Sequence, residues 1–361
     1  MHVTDLAELP LPHDVLALCE RGRAAGVTIW VVGGTVRDAA LGLPLRDVDL
    51  ASALLPGRVA ALLPHGVVAD LDPLLGTCTF PIDDCGVTRS VQHTTFRVEG
   101  QYGADRRPRE VAFVADLDRD APRRDFTVNA LYLDPLARSI VDPSGGRADL
   151  ARRRFRTIGE PVRRLVEDPL RILRAIRLEA RTGLLPCPAT TAALAQCAPL
   201  AGQLVPQRRF HEIDDLLDGR WAADGVRRLL DTAVLAWAVP WLATRFASVR
   251  RTLDSGSFLA DHVARWLALA GGDHDVAMEV LAGLEAPRPL RRAVAAPRGR
   301  ALVSGRDLVA LGVEPGPGLG DLLREALRRI AARGVVERDA ALAIVAKLVG
   351  ERIKPDPDES R

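Results

Sequence analysis

The feature that most constrains this chain is an apolar run, a glycine pair, a helix signal and a pair of acids, in that order. Val27 to Val32 reads as a buried strand, Gly33-Gly34 as a tight turn, and Thr35 to Leu41 as a helix ended by Gly42. Glycines let backbone N–H groups approach a polyphosphate, and the helix N-terminus behind them adds unpaired donors and a favourable dipole. The Asp47-Val48-Asp49 segment then places both carboxylates on one face of a strand while Val48 and Leu50 face the core. Hard divalent cations take oxygen ligands, and metals bridging carboxylates and phosphates can activate a hydroxyl nucleophile. Alone, Gly-Gly is a turn and Asp-x-Asp a solvated strand edge. Their adjacency points to a triphosphate and metal site, and so to nucleotide chemistry.

A chain of 361 residues can hold two or more cores. Residues up to Pro143 alternate short apolar runs with turns, and Thr77 to Ile82, Val87 to Arg97 and Val111 to Val114 read as strands. After Asp149 the pattern turns to long helical periods rich in Ala, Leu and Arg, broken near Pro186 to Pro188, Pro206 and Pro287 to Pro297. The expected fold is therefore an α+β head followed by helices only.

Net charge is only +2, so bulk charge does not demand a nucleic acid. Local clustering does more: Arg152, Arg153, Arg154, Arg156, Arg163 and Arg164 precede a helix bearing Arg171, Arg174, Arg177 and Arg181. Such a set can line a groove that tracks phosphates, or simply form a solvated helix face. Aromatics make up 4% of the chain, which disfavours an extended base-stacking platform. The five cysteines lack ligand-type spacing and their odd number argues against a disulfide framework, so a reducing cytoplasm is expected. Met1 to Pro12 does not read as a secretion signal, and no apolar stretch reaches membrane-spanning length.

These residues resemble the class II tRNA nucleotidyltransferase and bacterial poly(A) polymerase family, whose first motif reads Gly-Gly-x-Val-Arg-Asp followed by Asp-x-Asp. Arg123-Arg124-Asp125-Phe126-Thr127-Val128-Asn129-Ala130 is similar to the second motif, and Asp142-Pro143 with Gly145-Gly146 and Asp149-Leu150 to the segment after it. Glu167-Asp168-Pro169-Leu170-Arg171-Ile172-Leu173-Arg174-Ala175 resembles the motif that selects the incoming base, and Gln207-Arg208 with Glu212 and Leu216-Leu217 the helical motif that braces it. Ser304-Gly305-Arg306-Asp307-Leu308, Gly312, Pro315-Gly316-Pro317 and Gly320 resemble the tail of many bacterial members. The motifs keep family order over almost the whole chain, which makes the set far more specific than any one string.

The resemblance implies a nucleotidyltransferase head with a small mixed β-sheet over 1–143, then an all-α neck over 144–219, body over 220–300 and tRNA-binding tail over 301–361. It implies addition of CCA from CTP and ATP to the tRNA 3′ end, with tRNA held by its acceptor arm and Mg²⁺ as cofactor. The rival readings are an A-adding enzyme, a poly(A) polymerase and a tRNA-binding protein without catalysis. Asp47 and Asp49 are the implied catalytic and metal-binding pair. The implied nucleotide-binding set is Gly33, Gly34, Arg37, Arg124, Asp125, Asn129, Asp168, Arg171 and Arg174. Arg37, Asp38 and Asp125 have a competing reading as structural ion pairs, and Asn129 one as a turn residue. Asp168 and Arg171, three apart, would share one helix face and offer an acceptor beside a donor fork to a base edge.

Besides Gln207, which stands where the helical motif usually has an acid and leaves only Arg208 and Glu212 to carry over, two places depart from the family pattern. Gln92-His93 precedes Thr94-Thr95-Phe96-Arg97 where an acid is usual, so the third acidic position is an amide, and His93 is either a substitute base or a structural hydrogen-bonder. The segment Phe96 to Pro108 resembles the mobile loop linked to A addition, with Ala104 where an Asp is usual and Asp105 one place later. Asp261-His262 and His274-Asp275 do not make up a phosphohydrolase ligand set. The number of subunits is not legible.

Overall fold

The computed structural model describes residues 9, 11–45, 47–63, 68–84, 87–100, 110–242, 245–254, 262–270, 273–295, 305–313 and 338–353, together with positions 303, 319, 322, 323, 325, 326, 329 and 330. Helix α1 (His13–Ala24) leads into a seven-stranded mixed sheet ordered β3-β4-β5-β2-β1-β8-β9. Its strands are β1 (Trp30–Val32), β2 (Val48–Ser52), β3 (Asp70–Asp72), β4 (Thr77–Asp84), β5 (Val87–Thr95), β8 (Tyr132–Asp134) and β9 (Ser139–Val141). A separate hairpin is formed by β6 (Arg97–Glu99) and β7 (Val111–Phe113). Only the β2–β5 pair is parallel; the other pairings in the large sheet are antiparallel.

The first strand is shorter than the apolar run predicts. The Val27 N–H donates to Gly22 O and so completes the end of α1, which leaves only Trp30 to Val32 for the ladder. Helix α2 (Gly33–Ala40) starts two residues early, with Gly33 entering it at a left-handed φ of 65°. It ends near Gly42, where Leu43 N–H donates back to Asp38 O. Val48 and Leu50 are buried, as the alternation predicts.

Beyond the sheet the chain is mainly helical: α3 (Pro56–Leu62) and α4 (Leu117–Asp120) lie in the head, then come α5 (Gly146–Ala151), α6 (Pro161–Glu167), α7 (Leu170–Thr182), α8 (Pro188–Gln196), α9 (Pro206–Leu217) and α10 (Ala222–Asp231). Further helices follow, the last over Arg338–Ile353. The exception is a two-residue parallel pairing of Arg154–Phe155 with Leu185–Pro186. Proline opens α6, α8 and α9, where its missing N–H costs nothing.

One apolar core runs from Val15 through Val31 and Leu50 of the sheet to Ile172 and Ile176 of α7 and on to Trp266 and Val294. Val303, Leu308, Ile330 and Val345 belong to a second, separate cluster. Sheet and neck thus share apolar packing, which fixes α7 beside the open ends of β1 and β2. Among the described residues no helix is long and apolar enough to cross a membrane.

Candidate active site

A cleft of about 460 Å³ opens where the end of β1, the first turn of α2, β2, β5, the 123–129 segment and α7 meet. Gly33, Gly34, Arg37, Asp49, Arg124, Asp125, Asn129, Asp168, Arg171 and Arg174 all line it. Asp47 stands exposed just before β2, close enough for its charge to act on Asp49. The fold therefore brings the whole expected set together from segments more than a hundred residues apart.

Asp49 owes its position to α2. Its backbone N–H donates to Thr35 Oγ1 at 2.8 Å, and the same hydroxyl donates to Asp47 O at 3.3 Å, so one threonine ties the acidic segment to the helix start. Burial pushes the Asp49 carboxyl up, the Arg124 and Arg37 cations oppose this, and the Asp47 charge adds to it. The glycines leave the space open. Gly33 sits at φ 65°, and a Cβ there would lie 3.2 Å from Asp49 Oδ2; one on Gly34 would lie 3.6 Å from the same oxygen. Two oxygen ligands of like charge, one of them desolvated, in a glycine-cleared recess suit a hard divalent cation, which would relieve both the repulsion and the burial penalty.

Behind this recess runs a chain of paired polar groups. Arg37 pairs with Asp38 at 2.6 Å and donates to Asn129 Oδ1 at 2.6 Å. Asn129 Nδ2 donates to Asp125 Oδ1 at 2.9 Å, and Asp125 Oδ2 meets Arg174 of α7 at 2.6 Å. Arg181, two turns further along α7, reaches Asp38 at 2.5 Å. Despite its burial, Asp125 is held down to about 2 by Arg174, by Asn129 and by the Phe126 N–H. Arg37, Asp38, Asp125 and Asn129 thus act in this geometry as a brace between head and α7, while Arg37, Asp125 and Asn129 also face the cleft.

Arg124 is oriented by residues that sequence reasoning missed. Asp120, fully buried, takes its Nε at 3.1 Å, takes Arg123 Nε at 2.7 Å and accepts from Tyr132 OH at 2.8 Å. The Arg124 guanidinium also lies over the Tyr132 ring, 4.8 Å from its centre. Asp120 stands three and four residues before Arg123 and Arg124, a spacing that could have marked it, whereas Tyr132 reaches the group only through the sheet.

Asp168 and Arg171, the pair expected to select the base, depart from the expected helix face. Asp168 lies between α6 and α7 in extended backbone, since the following Pro169 disfavours a helical conformation there. Its Oδ1 accepts from Leu170 N–H at 3.1 Å, which caps α7. Arg171 is 3% exposed and donates to Arg164 O at 2.9 Å and Arg123 O at 3.2 Å. Acceptor and donor still share the cleft wall, but two elements present them rather than one. Glu167 ends α6 instead of starting a turn, and it pairs with Arg163 at 3.0 Å and Arg164 at 2.6 Å. From α9, Glu212 meets Arg177 at 3.0 Å, bracing α7 from its other side.

Gln92 and His93 separate cleanly. In the β2–β5 register Asp49 faces Gln92 and Leu50 faces His93, so Gln92 lines the cleft while His93 points into the core. His93 is fully buried with Nε2 2.8 Å from Ser52 Oγ, and burial pulls it down to about 3. It cannot serve as the base. Among the described residues no three His, Cys, Asp or Glu side chains gather as a metal-holding group, in keeping with the amide at Gln92. Tyr102, Ala104, Asp105, Arg106, Arg107 and Pro108 lie outside the described residues, as do Ser304, Pro315, Gly316, Pro317 and Gly320 of the tail motif. Asp307 is described and pairs with Arg338 at 2.6 Å.

A mixed sheet carrying paired aspartates against a glycine-started helix, with arginines facing in from a helical neck, defines a nucleotidyltransferase. Residues 29–156 match the Poly A polymerase head domain family. The chain is 34% identical over 306 residues to the CCA-adding enzyme of Geobacillus stearothermophilus, covering 84% of this chain and 72% of the relative. It is 33% identical over 353 residues to that of Geobacillus thermodenitrificans, covering 97% and 81%. Among solved structures, the Bacillus stearothermophilus CCA-adding enzyme in complex with CTP aligns with a TM-score of 0.56 at 27% identity, over 94% of this chain and 98% of that one. The fold is also that of the Thermotoga maritima CCA-adding enzyme, with a TM-score of 0.59 at 20% identity over 97% and 83%. The chain belongs to the CCA-adding enzyme family of nucleotidyltransferases. Members of this family generally use a divalent metal ion.

Proposed function

We propose that this chain is a template-independent tRNA nucleotidyltransferase that adds CCA to the tRNA 3′ end from CTP and ATP, releasing pyrophosphate, in the cytoplasm and with Mg²⁺. The observation that carries the reading is the cleft in which Asp49 stands against Gly33-Gly34 and which Asp168 and Arg171 also line. The relatives named CCA-adding enzyme support the choice of product.

In the reaction the terminal ribose 3′-oxygen attacks the α-phosphorus; the new P–O bond forms as the bond to pyrophosphate breaks and the hydroxyl proton is lost. Gly33 and Gly34 present backbone N–H groups to the triphosphate, and Arg124 adds positive charge beside it. Asp47 and Asp49 would hold the metal, which when bound lowers the hydroxyl pKa and shares the charge of the transition state. Asp168 and Arg171 offer an acceptor and a donor to the base edge, in place of a template strand. Arg174, tied to Asp125, fixes the distance between that base-reading wall and the phosphate site. The head over 1–143, neck over 144–219 and body over 220–300 would carry these parts, and the tail over 301–361 would grip duplex RNA by shape and backbone.

Replacing Asp47→Ala or Asp49→Asn should lower transfer by at least about a thousandfold, a few kcal/mol of transition-state stabilisation, with tRNA affinity changed less than about twofold. Primer extension and filter binding on the same preparations check this. Retained transfer in both variants would sink the metal assignment.

A further inference from the structure

Resting on the nucleotidyltransferase reading above, we infer that Gln92 is a specificity residue that hydrogen-bonds the 2′-hydroxyl of the RNA's terminal ribose. The strand order carries the argument. β2 lies between β1 and β5, so Asp49 has the glycine cradle on one flank and Gln92 on the other. An in-line displacement needs the attacking and leaving oxygens on opposite sides of the phosphorus. With the pyrophosphate end on the Gly33-Gly34 flank, the attacking ribose must arrive on the Gln92 flank.

That flank carries neutral hydrogen-bonding groups, with Arg97 at its edge. Thr94 lies two residues beyond Gln92 on the same face of β5, Thr77 is its register partner on β4, and all three line the cleft. Gln92 is exposed to the cleft, and among the described residues no group takes its amide. An amide offers both an acceptor and two donors, which matches a hydroxyl that is itself donor and acceptor. A carboxylate in the same place would be acceptor only and would add a third negative charge beside Asp47 and Asp49. The 3′-oxygen is committed to phosphorus, so the vicinal 2′-hydroxyl is the polar group left for Gln92. Contact with that hydroxyl also distinguishes an RNA end from a DNA end.

The test uses the full chain and two tRNA transcripts ending in CC, one with an ordinary terminal ribose and one with a 2′-deoxy terminal ribose. A-addition kinetics, and ATP binding without RNA, are measured for the unsubstituted chain and for Gln92→Ala, with thermal unfolding as a check on folding. The unsubstituted chain is expected to prefer the ordinary end by about five- to tenfold in kcat/KM, the range of one hydrogen bond. Gln92→Ala should bring that ratio to within about twofold of unity, with ATP affinity unchanged. The inference is overturned if Gln92→Ala keeps the original ratio, or if the unsubstituted chain extends both ends equally. Should the unsubstituted chain fail to extend the ordinary transcript at all, the nucleotidyltransferase reading itself falls.

Discussion

Gln92 and His93 are neighbours in sequence with opposite fates, and the period of a strand decides them: one side chain meets the substrate cleft, the next is sealed in the core. His93 has the more measurable consequence for stability. Its folded value of about 3 lies below the ordinary 6.5, so between those limits the unfolded chain binds a proton that the folded chain refuses. Stability from this group is complete above about pH 6.5 and is lost as pH falls toward 3. From pH 8 to pH 5 the loss should reach about 2 kcal/mol, at 1.36 kcal/mol per pH unit below 6.5. Asp125, held down to about 2, keeps its charge across the same window and adds no slope. Urea unfolding of the unsubstituted chain and of His93→Val, at pH 8 and pH 5, should show the variant losing about 2 kcal/mol less. Parallel losses would contradict the buried neutral histidine.

At the scale of elements, α7 does the joining. Its arginines at 171, 174, 177 and 181 recur every three or four residues and so share one face, while Ile172, Ala175, Ile176 and Ala180 bury the other. Gly183 ends the helix at φ 67°, where a Cβ would press within 2.8 Å of the Trp221 ring. The arginine face binds α2 through the Arg181–Asp38 pair, and within α2 Asp38 also pairs with Arg37. Asp38 is 1% exposed, so Asp38→Ala would leave the buried Arg37 without its carboxylate and should cost about 3 kcal/mol. Arg181→Ala removes a partner that is 35% exposed at its side chain and should cost no more than about 1 kcal/mol. Urea unfolding compares the two variants; equal losses would mean that the brace is not the buried pair described.

Much of this was legible in the sequence, for identifiable reasons. The glycine pair, the Asp-x-Asp alternation and the arginine period are local signals that located α2, β2 and α7, although the glycines fall inside α2 rather than before it and Asp47 stands just outside β2. The Asp168 conformation was also legible, because the proline after it argues against the helix to which the spacing assigned it. Strands β8 and β9, by contrast, are three residues each, and β8 gains its hydrogen bonds from β1, a hundred residues earlier, before β9 can add to it. Tyr132, on β8, escaped for the same reason, whereas Asp120 did carry a local signal in its three- and four-residue spacing to Arg123 and Arg124.

At the scale of the whole molecule, one apolar core continues from the sheet to α7 and holds the two proposed halves of the site, the wall bearing Asp168 and Arg171 and the Gly33-Gly34 turn, at one distance. In the proposed function the choice of CTP or ATP would rest on Asp168 and Arg171 rather than on a template. The most direct test is extension, at single-nucleotide resolution, of three tRNA transcripts ending before CCA, after C and after CC, with Mg²⁺ and CTP or ATP separately and together. The expected result is complete CCA on the shortest transcript with both nucleotides and arrest after CC with CTP alone. Extension only of the CC-ended transcript, or an unbounded A tail on all three, would contradict it.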